Sequence, residues 1–324
     1  MAPLSLLNKQ VPIIVLCGPT ASGKSALACQ IAERFDAEIV SADSRQVYRY
    51  MDIGTAKPTP AERSVVRHHL IDIVDPDEPF SVADFVVHAG AAIADIVNRG
   101  RLPLVVGGTG LYIRALTEGL ADVPASDDSI RDELLQQEQK EGTGTLYRRL
   151  QEIDPQQAQG IHPNNLVRLV RALEVYELSG VPMSEFQQQH QFAENRYRAL
   201  KLYLHWPRDV LYGRIEERVD QMISHGLLAE VQKLLDSGYS ADLKAMKAIG
   251  YRELVACLNG KYSLEEAVAQ IKQETRRYAK RQETWFKKEK SIISVDSLSE
   301  IDKIQQLIEY FPLQKGSGYG QNTI

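Results

Sequence analysis

VPIIVLCGPTASGKSALACQIAERF, residues 11–35, is the stretch on which the fold turns. Its first seven residues are an apolar run with β-branched Val and Ile, which reads as a buried strand. The next eight, Gly18, Pro19, Thr20, Ala21, Ser22, Gly23, Lys24 and Ser25, fit the G-x-x-x-x-G-K-[ST] phosphate-loop pattern. KSALACQIAERF then carries helical spacing. Backbone N–H groups of such a loop, aimed at a helix N-terminus, cradle a phosphate, and Lys24 adds a mobile positive charge. Ser25 supplies a hydroxyl for a Mg²⁺ ion bridging the same phosphates. The pattern usually marks an ATP- or GTP-using protein, so the question is which phosphate it holds.

Working outward, AEIVSADS (37–44) reads as a second strand, residues 81–100 as a long helix, and RLPLVVGG (101–108) as a strand feeding the helix GTGLYIRALTEG. Strands alternating with helices predict an α/β protein, a P-loop NTPase-like parallel sheet flanked by helices. Ligands of such sheets bind beyond the carboxyl ends of the strands. Residues 18–25, 43–46 and 107–112 each follow a strand and are expected to converge on one cleft. From about Ala115 to Ala199 no strand-like run occurs and Gln is frequent, which predicts an inserted all-helical domain over 116–199. The core is then discontinuous, 1–115 and 200–324, resuming with the strand LKLYLHWP and ending in helices, a short SIISVD strand and a flexible tail.

The 324 residues are 44% hydrophobic and 25% charged, enough for a sizeable core. A net charge of −5 gives no global sign of nucleic acid, although local patches decide that question. Cys17, Cys29 and Cys257 lack metal-ligand spacing and read as reduced, buried, structural thiols of a cytosolic protein. No stretch approaches the roughly 20 apolar residues of a membrane span, so a soluble, cytoplasmic chain without membrane contact is expected. The adjacent His68 and His69 point to opposite faces of any regular element and read as packing residues.

Most nucleotide hydrolases place a Mg²⁺-supporting Asp at the end of a later strand. Here LPLVV ends in GGTG without an acid, and the acid stands instead at Asp43, after the second strand. That carboxylate could hold Mg²⁺, act as a general base, or cap a turn. Thr109, opening a helix after the glycine pair, could bind ligand or cap the helix. Ser44 and Gln46, on the same turn, carry side chains that can hydrogen-bond a ligand or simply shape the turn.

Eight motifs then occur in order: GPTASGKS, SADSRQVY, IGTAKP, HHLID, VGGTGLY, HPNNLVRLVRALEV, IGYRE and TRRYAKRQETWF. Together, over about residues 11–290, they resemble the bacterial tRNA dimethylallyltransferases. Asn165 stands where that family more often has Asp, and the zinc finger of its eukaryotic members has no counterpart here. The resemblance implies transfer of a dimethylallyl group from dimethylallyl diphosphate to N6 of adenosine 37 in tRNAs reading codons that begin with U. It implies Asp43 as the general base, with Thr109 and Lys24 as its catalytic companions. Residues 18–25 and Arg218 then bind the diphosphate, with Mg²⁺ on Ser25. Asp43, Ser44, Arg45, Gln46, Thr109, Arg131, Arg168, Arg171, Gly250, Tyr251, Arg252, Arg277, Lys280 and Arg281 face tRNA at its anticodon stem-loop, and the chain acts as a monomer. The basic helix end, with Tyr278 and Trp285 among its cations, has the chemistry for phosphates and unpaired bases. Readings of a different kind are a P-loop small-molecule kinase, a prenyltransferase of free adenine nucleotides, and a non-catalytic RNA-binding module.

Overall fold

A computed structural model describes residues 10–190, 196–289, 291–295 and 300–311. The tail expected to be flexible, 313–324, lies outside them. Six strands, β1 (Val11–Cys17), β2 (Ala37–Ser41), β3 (His68–His69), β4 (Leu102–Gly107), β5 (Tyr197–Leu204) and β6 (Ile292–Val295), form one sheet in the order β3-β2-β4-β1-β5-β6. Every neighbouring pair is parallel. β1 lies at the centre, with Ile14 opposite Leu104 and Cys17 opposite both Gly107 and Tyr203.

A parallel sheet needs cover on both faces, and strand alternation supplies two cores. Ile13, Val15 and Cys17 point to one face with Val40 and Val105. There they meet α3 (Val82–Asn98), α4 (Gly110–Glu118), α11 (Leu227–Asp236), α12 (Tyr251–Leu258) and α13 (Leu264–Phe286). Ile14 and Leu16 point to the other with Ile39, Leu104 and Leu202, under α1 (Lys24–Phe35) and α14 (Ile301–Tyr310). Leu211 and Ile215 of α10 (Arg208–Ser224) make a smaller cluster with Ala21 of the loop and Ala279 of α13. The short α2 (Pro60–Val65) and β3 complete this unit; six residues and two residues are too few for a periodic signal, and neither was expected. α12 was likewise not expected.

The chain divides into two compact units, Met1–Thr117 with Arg196–Ile324, and Glu118–Asn195. α4 runs to Glu118 and β5 starts at Tyr197, so the regular elements of the first unit pass both boundaries set by composition at 116 and 199. In the second unit α5 (Asp128–Glu141), α6 (Thr145–Ile153), α7 (Pro155–Gln159), α8 (Leu166–Ser179) and α9 (Met183–His190) surround their own core of Leu134, Leu146, Leu150, Leu169 and Leu173. Among the described residues no helix is long and apolar enough to cross a membrane. Cys17 is buried and its thiol is pushed up to about 12 by that burial, whereas Cys29 and Cys257 are only partly covered, against the expectation of three buried thiols.

Candidate active site

The loop after β1 is held in shape before any ligand arrives. Ala21 takes a left-handed conformation (φ 63°), a strain that persists only where surrounding contacts enforce it. Those contacts come from three directions. Trp206 Nε1–H donates to Ser22 O (2.9 Å), and Arg214 Nε–H, its guanidinium 4.7 Å from the Trp206 ring centre, donates to Ala21 O (2.9 Å). Gln282 of α13 accepts the Thr20 N–H (2.9 Å). Lys24 Nζ folds back on Gly18 O (3.0 Å) and Pro19 O (2.6 Å). Burial, and after it the nearby Arg218, lower this ammonium to about 8, with Asp43 opposing the shift.

Asp43 begins the turn after β2. Its Oδ1 accepts the N–H groups of Arg45 (2.8 Å) and Gln46 (3.4 Å), so the turn-capping role exists. It occupies only one oxygen, and Oδ2 keeps no hydrogen bond among the described residues. Thr109 Oγ1 accepts the Ser44 N–H (3.2 Å), and its hydroxyl also bonds that of Tyr278. The two turns meet closely because Gly107 has no side chain: a Cβ there would sit 2.1 Å from Ala42 O. Tyr278 of α13 adjoins the pair; burial first and Asp43 second push its phenol up to about 12, against the lowering effect of the Thr109 hydroxyl.

Thr20, Lys24, Asp43, Arg214, Tyr278 and Gln282 line one cavity of about 650 Å³ within the first unit. Its wall carries seven basic side chains, Lys24, Arg45, Arg214, Arg218, Lys247, Arg252 and Arg281, against two acidic ones, Asp43 and Glu217. A chain of net charge −5 therefore concentrates positive charge in this one place. Arg218 makes no hydrogen bond or ion pair among the described residues, and its burial pulls the guanidinium below its ordinary range. Ser25, exposed at the first turn of α1, has no side-chain partner among the described residues.

Other expected residues are placed less simply. Gln46 is fully used inside the protein: Oε1 accepts from Ser41 Oγ–H (2.9 Å) and Nε2 donates to Thr55 O and Ala56 O (3.2 Å each). Tyr251 is 0% exposed and its hydroxyl donates to Glu230 (2.6 Å), so its side chain is part of the core. Gly250 (φ 96°) opens α12 and lines the cavity. Arg252 and Arg277 are both paired with Glu274 (3.0 and 2.5 Å), while the exposed Lys280 ammonium has no partner among the described residues. In the second unit Arg131 and Arg171 close on Glu174, which is 0% exposed (2.9 and 2.6 Å). Arg168 is exposed and its side chain has no partner among the described residues. His68 and His69 form β3 and bond Val66 O and Glu38 (2.7 Å each), which accords with a packing role.

Gln282, Trp206 and Arg214 were missed. Gln282 stood inside the quoted TRRYAKRQETWF, but nothing local marks a residue whose partner lies 262 positions away.

A parallel sheet whose first strand feeds a phosphate loop, with a cationic cavity and one half-free carboxylate beside that loop, defines a P-loop protein built to hold an anionic ligand near a proton acceptor. Comparison with known proteins sharpens this. The sequence pattern of the IPP transferase family matches residues 46–289, and that of the isopentenyl transferase family residues 11–75. The chain belongs to the IPP transferase family. It is 56% identical to the tRNA dimethylallyltransferase of Geobacter metallireducens over 304 residues, 94% of this chain and 98% of that one. The crystal structure of the full-length tRNA isopentenylpyrophosphate transferase of Bacillus halodurans matches with TM-score 0.68 at 43% identity, over 92% of this chain and 95% of that one. A eukaryotic dimethylallyltransferase crystallised acting on tRNA matches with TM-score 0.78 at 31% identity, over 92% and 78%.

Proposed function

We propose that the chain transfers a dimethylallyl group from dimethylallyl diphosphate to N6 of adenosine 37 in tRNAs reading codons that begin with U. Asp43 carries the reading: one carboxylate oxygen is spent on its own turn and the other is left unbonded in a cationic cavity beside the phosphate loop. A hydrolase would need a water-activating group at the γ-phosphate; a prenyltransferase needs a diphosphate cradle and a base.

In this scheme the allylic C–O bond breaks and its electron pair leaves on diphosphate. The N6 lone pair forms the new C–N bond, and the N6 proton passes to Asp43 Oδ2. The loop N–H groups, Lys24, Arg218 and the Thr109 hydroxyl stabilise charge gathering on the leaving group. Among the described residues no three His, Cys, Asp or Glu side chains cluster as a metal cage. That fits Mg²⁺, which binds through substrate phosphates and one or two protein oxygens while keeping water ligands. Ser25 would hold it, and the ion would neutralise charge on the diphosphate. Positive charge at Arg45, Arg281 and Lys280 suits the anticodon stem-loop, and the Glu118–Asn195 unit with Arg168 supplies further RNA contact. Gln46 would read a base only after exchanging its internal bonds. The chain is expected to act as a monomer.

Incubation with Mg²⁺, labelled dimethylallyl diphosphate and either tRNA or adenosine monophosphate tests this. Label should enter tRNA at adenosine 37 and not the free nucleotide. Consumption of ATP with no label in tRNA would return the chain to kinase chemistry.

A further inference from the structure

We infer that Gln282 is a positioning residue, which sets the distance between the diphosphate loop and the turn that carries Thr109. The inference rests on the function proposed above. Gln282 is 6% exposed, and both ends of its amide are engaged. Oε1 accepts the Thr20 N–H and Nε2 donates to Gly108 O, each at 2.9 Å. Thr20 lies in the loop after β1, and Gly108 stands immediately before Thr109, after β4. Among the described residues no backbone hydrogen bond joins these two segments beyond the strand ends, and the amide links them instead.

The site is shaped to receive it. A Cβ on Gly108 would lie 2.2 Å from Gln282 Nε2, so that glycine leaves room for the amide. Taking up the Thr20 N–H also decides which loop N–H groups remain for phosphate. Tyr278 precedes Gln282 by one helical turn on the same side of α13, next to Thr109 and Asp43. One helix face thus adjoins the leaving-group cradle, the hydroxyl and the base together. A hydrogen-bonded amide of fixed length can hold such a spacing; a hydrophobic contact of the same volume tolerates sliding.

Gln282→Met keeps the length and volume and removes both bonds. Inorganic pyrophosphate with Mg²⁺ serves as the probe, titrated calorimetrically, alongside single-turnover prenylation at saturating substrates. The expected result is pyrophosphate affinity weaker by about tenfold and a comparable loss in the saturated rate, the scale of one or two net hydrogen bonds. tRNA affinity and melting temperature should stay near wild type. Gly108→Ala should give the same loss by evicting the amide, and the double variant should lose little more than either alone. Wild-type pyrophosphate binding and rate in Gln282→Met would overturn the inference, as would additive losses in the double variant. So would a parallel fall in tRNA binding and melting temperature, which would mean that the amide only holds the fold. A wild-type chain that fails to bind pyrophosphate would instead sink the proposed function and this inference with it.

Discussion

Asp43 and Lys24 are the two residues whose chemistry the structure separates most cleanly. Asn at position 43 keeps an Oδ1 to accept the Arg45 N–H, so the turn survives while the base is lost. Asp43→Asn should therefore slow single-turnover prenylation by about 10²–10⁴, the usual contribution of general-base catalysis, with tRNA affinity nearly unchanged. An equal loss of tRNA binding would show that the carboxylate mainly holds the turn. Lys24 gives a pH signature. Its amine is lowered to about 8 in the free protein, by burial first and Arg218 second. Diphosphate binds best to the protonated amine, so above about pH 8 binding must take up a proton. The sign follows: relative to a Lys24→Met variant, wild-type pyrophosphate affinity should fall as pH rises, by up to about tenfold per unit. A pH-independent ratio between the two proteins would place the titration elsewhere. Both residues were legible in the sequence, because strand-loop-helix order and a missing acid after LPLVV are local features. Tyr251 was not. Beside Gly250 and Arg252 it shares their motif, but a side chain's direction depends on what packs against it, and here Glu230 and Gly54 take it inward.

At the scale of elements, long periodic segments were read almost to the residue: KSALACQIAERF is α1 and VPIIVLC is β1. β3 and α2 escaped because their order comes from tertiary contacts, including Lys57. That buried ammonium donates to Tyr48 O, Asp52 and Asp72 (2.6, 2.8 and 2.6 Å) and so ties the IGTAKP and HHLID motifs together. α8 shows how two arginines of one helix differ. The sequence places Arg168 and Arg171 on one face, three apart, with equal claims to RNA. In the folded helix Arg171 closes on the buried Glu174, and Arg168 is exposed, without a side-chain partner among the described residues. Arg171→Ala should destabilise the chain by about 1–3 kcal/mol, since a buried carboxylate loses one of its charged partners while Arg131 remains. Arg168→Ala should leave melting unchanged and weaken tRNA binding several-fold, with a smaller salt dependence. Melting curves and tRNA titrations at two salt concentrations check both; a reversal of the two phenotypes would contradict the assignment.

For the whole molecule, the net charge of −5 hides an arrangement in which the cavity wall is cationic. The unit Glu118–Asn195 has its own apolar core and, by its bonding, its own buried ion cluster around Glu174. A unit with a separate core can be unfolded separately. Leu146 is 0% exposed within that core, and an Asp there must bury an unpaired charge or expose the cluster. Either costs several kcal/mol, on the order of what a single five-helix unit can spare. Leu146→Asp should therefore abolish the protection of amide hydrogens within 118–195 while amides of β1, β4 and β5 stay protected. Pyrophosphate should still bind, because the loop, Lys24, Arg218 and Gln282 all belong to the first unit. tRNA affinity should fall by at least an order of magnitude, the expected cost of losing several phosphate contacts. The reverse pattern, with tRNA held and pyrophosphate lost, would mean that the helical unit supports the diphosphate site and that division of labour between the two units is wrong.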